Sequence, residues 1–92
     1  MLEVTEWARD ILSRSVAAGR RLNPSAVVRV VASGDGIVAS FAEAPEPTDH
    51  PVEGADGAFV AEAVQGQLDV TEPHAQLVLK PAGSAPNERA HD

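Results

Sequence analysis

Ninety-two residues, 43% hydrophobic but only 3% aromatic, describe one small domain whose core must be built from Val, Leu, Ile and Ala around Trp7, Phe41 and Phe59. With no cysteine there are no disulfides, thiolate zinc sites, cysteine nucleophiles or cysteine-ligated iron–sulfur clusters. No apolar run approaches the ~20 residues needed to cross a bilayer, and the net charge of −7 disfavours nucleic acid as a partner.

The charge is unevenly placed. Residues 1–34 hold Arg9, Arg14, Arg20, Arg21 and Arg29 against Glu3, Glu6 and Asp10, whereas residues 35–79 hold nine acids and no Lys or Arg. No aromatic side chains interleave with the basic ones to stack bases.

Residues 1–4 read as a short strand or extended lead-in. Thr5 is a good N-cap, and Glu6 places negative charge at the positive end of the helix dipole. Ala8, Ile11, Leu12, Ser15 and Ala18 then recur at helical spacing and form an amphipathic face, with Arg9, Asp10, Ser13 and Arg14 opposite and Asp10 spaced to pair with Arg14. Trp7 in the first turn is expected to pack over the edge of the core. Gly19 is the expected stop, followed by Arg20 and Arg21 at the negative end.

After the Asn23-Pro24-Ser25 break, the β-branched run 26–33 predicts a strand, Ser33-Gly34-Asp35-Gly36 a hairpin turn, and 37–42 the returning strand. Residues 43–51, with three prolines, predict an extended loop. Further strands are expected at 58–63, 67–71 and 76–80, separated by turns at 54–57, Gly66 and Glu72-Pro73-His74. From Pro81 the composition predicts a disordered tail over 81–92. One amphipathic helix and five or six short strands make residues 1–80 a single β-rich α+β domain.

Chemistry-bearing groups are few. His50, His74 and His91 are the imidazoles available for ligation or proton transfer. Asp49 and His50, with His74, are the weak candidates for a nitrogen–oxygen metal site; such a site needs three or four convergent ligands with outer-shell support, and a Thr-Asp-His triplet between prolines falls short of that. Gly34-Asp35-Gly36 lies between two strands and lacks the following helix of a phosphate loop. No serine sits in a nucleophile elbow and no carboxylates are paired for acid–base work, so no catalytic residue and no cofactor are expected, and the chain reads as a non-enzyme.

Several stretches together carry a resemblance. Met1-Leu2-Glu3-Val4-Thr5 before an amphipathic helix, the Val28-Arg29-Val30 strand, the Pro-containing acidic stretch from Phe41 to Glu53, Gly57-Ala58-Phe59-Val60, Gly66-Gln67-Leu68-Asp69-Val70 and Leu77-Val78-Leu79-Lys80-Pro81 are similar to HesB-like proteins of the A-type iron–sulfur carrier group, in particular short actinobacterial members. The resemblance covers residues 1–82 and implies a compact HesB-like fold. Typical carriers hold their cluster through three cysteines, one mid-chain and two in a Cys-x-Cys near the C-terminus. None is present here, so no ligand role carries over. What the resemblance implies is a non-enzymatic, cytoplasmic accessory or interaction protein of iron–sulfur assembly, with a protein partner and homo-oligomerisation as an open alternative. The competing expectations are an acidic adaptor for a basic protein and a weak His/carboxylate metal binder.

Overall fold

In the computed structural model, which describes residues 2–87, the chain runs β1 (Leu2–Val4), α1 (Glu6–Leu22), β2 (Val27–Ser33), β3 (Gly36–Ala42), β4 (His50–Pro51), β5 (Ala58–Val60), β6 (Gly66–Thr71) and β7 (Gln76–Lys80). The architecture is α+β, as the sequence pattern predicts, with seven strands in two mixed sheets of order β1-β6-β7 and β3-β2-β5-β4. The strand beyond the five or six expected is β4, two residues within the proline-rich stretch that pair antiparallel with β5. Among the described residues no helix is long and apolar enough to cross a membrane.

Local chemistry sets the start of α1. The Thr5 hydroxyl accepts from the Ala8 N–H at 3.2 Å and donates to Asp69 Oδ1 at 3.0 Å, so one side chain both caps the helix and ties it to β6. The helix does not stop at Gly19. It continues to Leu22, where the Asn23 N–H returns to the Gly19 carbonyl. Gly19 is helical and buried because the Phe41 ring of β3 lies on its bare surface: a Cβ there would stand 2.5 Å from Phe41 Cε1. The buried face is Trp7, Ala8, Leu12, Val16 and Gly19, rotated from the predicted stripe. Trp7 belongs to the core itself, Ala18 is exposed, and the Ser15 hydroxyl donates to the Ile11 carbonyl.

Between the sheets, the helix face meets Val28, Val30, Ala58 and Val60 from one side and Leu68 and Val70 from the other, with Val52, Ala55 and Val64 filling in from loops. β2 pairs antiparallel with β3 in the expected hairpin and parallel with β5, Val30 lying opposite both Ala39 and Val60. β6 pairs parallel with β1 and antiparallel with β7, placing Leu68 opposite Val4 and Leu79. The strand expected over 58–63 ends at Val60; the chain then turns so that Val64 enters the core.

The outward face of β6 carries Gln67 and Asp69, yet both are buried. Part of their cover comes from residues 81–87, where composition predicts a disordered tail. Ser84 O accepts from Gln67 Nε2 at 2.8 Å, the Asn87 N–H donates to Asp69 Oδ2 at 2.7 Å, and Asn87 Nδ2 donates to Val70 O at 2.9 Å. The rest of that expectation, residues 88–92, lies outside the described residues.

Because Thr5 serves two partners, Thr5→Ala is expected to lower stability by about 1–2 kcal/mol in urea denaturation, whereas Thr5→Ser retains most of it. Equal losses in the two variants would contradict the double role.

Candidate functional site

Of the sequence-predicted metal candidates, Asp49 and His50 adjoin at β4, whereas His74 lies in the β6–β7 turn of the other sheet. Asp49 is bound by Arg29 through a two-pronged contact, Nε to Oδ2 at 2.6 Å and Nη2 to Oδ1 at 2.9 Å, and Oδ2 also accepts the Glu46 N–H at 2.9 Å. The hydrogen bonds from Arg29 hold the Asp49 carboxyl below its ordinary range against the opposing effect of burial, with the Glu46 amide adding to them. Arg29 alternates with the core-facing Val28 and Val30, so it projects from the outer face of the four-stranded sheet and pins the 43–49 loop there. His50 is exposed on β4, and His74 is exposed in the turn between β6 and β7 of the other sheet. Among the described residues no group of three or more His, Asp or Glu side chains is arranged to hold a metal ion. His91 lies outside the described residues.

His50 does line a cleft. β1 and β4 are each the outer strand of their sheet, and a space of about 530 Å³ is bordered by Leu2 and Val4 of β1, His50 and Pro51 of β4, Arg9 of α1 and Val52. Glu53 and Gln65 stand at the same cleft. Its volume falls in the range of ligand-binding pockets.

The guanidinium of Arg9 is held in a definite place. Its stem fills the space where a side chain on Gly54 would stand, with Arg9 Cδ 2.6 Å from the position a Cβ would take, and Nη2 reaches Val4 O at 3.5 Å. Nε is buried with no hydrogen-bond partner among the described residues. Arg14, Arg29 and Lys80 are paired with Asp10, Asp49 and Asp69; Arg9 has no such carboxylate among the described residues. The sequence pattern places Arg9 on the polar helix face and gives no sign of this. The one local signal is Gly54, readable only as a turn.

A second concavity, about 480 Å³, lies where the C-terminal end of α1 passes β3, and its walls include Gly19, Leu22, Ala26, Phe41 and Ala42. It is apolar and open. Leu22 is 92% exposed and Phe41 59%, an unusual display in a chain with three aromatic residues. Glu43 supplies the charge at its rim.

No protein-family model, curated protein or solved structure matches the chain.

Proposed function

We propose that this protein is a non-enzymatic interaction protein that receives an apolar, positively charged segment of a partner protein on the groove between Leu22 and Phe41. The observation that carries this reading is the exposure of those two side chains at one concave surface. Covering a Leu or a Phe contributes about 1.5–3 kcal/mol each, enough for a central anchor of an interface. Charge complementarity favours a basic partner, because Glu43 stands at the rim and residues 35–79 hold nine acids without a Lys or Arg.

The resemblance to HesB-like A-type carriers suggests which process the partner belongs to. On that reading the chain is a HesB-like domain without cluster-ligand cysteines and acts as an accessory in iron–sulfur assembly. The β-rich α+β architecture, opening strand–Thr5–helix, is compatible with it. The alternative is a general acidic adaptor, favoured by the same charge distribution.

Affinity capture from the native host with the wild-type chain, Leu22→Ser and Phe41→Ser distinguishes them. Recovery of assembly proteins by the wild type, lost in both variants, is the expected result. Recovery of unrelated basic proteins that elute as salt rises points to the adaptor. If both variants capture the same proteins as the wild type, the groove is not the binding surface.

A further inference from the structure

We propose that the cleft between β1 and β4 binds an extended peptide by its C-terminal carboxylate, with Arg9 as the anchor. Several observations converge on this occupant. Arg9 carries five N–H donors, of which one is used among the described residues, in a long contact to Val4 O. Its guanidinium is fixed by the packing of its stem on Gly54, so little side-chain freedom remains to be lost on binding. A partly buried cation with no ion pair among the described residues favours an anion beside it.

The remaining walls describe what is attached to that anion. Leu2, Val4, Pro51 and Val52 offer apolar surface for a terminal aliphatic side chain, and His50 adds a polar group nearby. The backbone contributes as well. In the parallel β1–β6 ladder the Thr5 N–H donates to Leu68 O, so the alternation of such a ladder turns the amide groups of Leu2 and Val4 away from β6 and toward the cleft. An added strand would pair there, the mode by which extended peptides complete open sheet edges.

Glu53 at the same cleft sets a limit on the ligand's charge. One carboxylate can sit on Arg9, whereas a second negative charge meets Glu53 and the acidic surface. The site therefore selects a single terminal carboxylate on an otherwise neutral or basic peptide and discriminates against polyanions.

Fluorescence polarisation tests this with a dye-labelled neutral peptide of alternating Ser and Val that ends in Leu, prepared as free acid and as amide. The expected result is saturable binding of the acid with the amide weaker by about tenfold or more. Arg9→Gln removes that difference, checked for intact folding by thermal melting. Glu53→Gln, on an exposed residue, tightens the acid about twofold or more and leaves the amide unchanged. Equal binding of acid and amide, binding of neither, or an acid-form affinity unaltered in both variants overturns the proposal. Displacement of the peptide by equimolar inorganic phosphate overturns it in favour of a general oxyanion site.

Discussion

Asp69→Ala is expected to lower the stability of this protein by about 3–5 kcal/mol, the cost of removing one partner from a buried ion pair. Asp69 is 0% exposed, and its two oxygens accept from the Thr5 hydroxyl at 3.0 Å, Lys80 Nζ at 2.8 Å and the Asn87 N–H at 2.7 Å. Alanine removes the acceptor of all three donors, and of these only Lys80 Nζ keeps another partner, the Ala85 carbonyl at 2.7 Å. Against a total stability of about 5–15 kcal/mol for a small domain, urea denaturation at neutral pH resolves such a loss easily. Asp69→Asn, which keeps the shape and loses the charge, falls between alanine and the wild type.

The same group fixes the sign of a pH dependence. Burial alone raises the Asp69 pKa, but hydrogen bonds from Lys80, from the Asn87 and Val70 amides and from Thr5 outweigh it and bring the value down to about 2 from the ordinary 3.8. A depressed carboxylate contributes its stability in full above the unfolded value and loses it as pH falls through the folded one. The contribution, about 2 kcal/mol, is thus present above pH ~4 and disappears between ~4 and ~2. Asp69→Asn is expected to show a flatter stability profile across that window; identical wild-type and variant slopes would refute the assignment.

Gly66→Ala is the second large effect, with an expected loss of about 3 kcal/mol or more. Gly66 has φ +118°, and a Cβ there would stand 2.5 Å from the Lys80 carbonyl oxygen. The obstacle is backbone in the neighbouring strand, so relief requires the β6–β7 ladder to open. Gly34→Ala is the matched comparison: φ is +58° in the β2–β3 turn and nothing lies near the added methyl, so the cost is about 1 kcal/mol. Similar denaturation midpoints for the two variants would show that the contact with Lys80 is not rigid.

What can be read from the sequence is what is settled within a few residues. The Thr5 cap, the Gly34 hairpin and the strand–turn–strand of β6 and β7 rest on neighbours in the chain, and all are found. The end of α1 differs from expectation because Gly19 looks like a stop and is in fact a seat for Phe41, a residue of another element. The two parallel pairings, β1 with β6 and β2 with β5, have no local turn to announce them. Composition marks residues 81–87 as a tail, since Pro, Gly, Ser and Ala do not reveal a strap whose partners are Asp69 and Val70.

The candidate site is legible in the same measure. His50 stands out for its chemistry and does border a cleft, but Asp49 beside it is turned toward Arg29. An arginine amid the valines of 27–31 is the available signal for that ion pair. Arg9 carries none, because its place at the cleft, with its stem on Gly54 and no ion pair among the described residues, is a property of three-dimensional arrangement alone.

The pairing of β1 with β6 also has a kinetic consequence. The opening strand finds its partner 64 residues along the chain, as the contacts of Thr5 with Asp69 and of Glu3 with Gln67 record. The α1 turn and the β2–β3 and β6–β7 hairpins can form early from local encounters, whereas β1 can dock only after a long loop has closed. The Thr5 cap on Ala8 is local, but its tie to Asp69 waits for that same late event. In folding order, therefore, β1 is expected to be among the last strands to find its place.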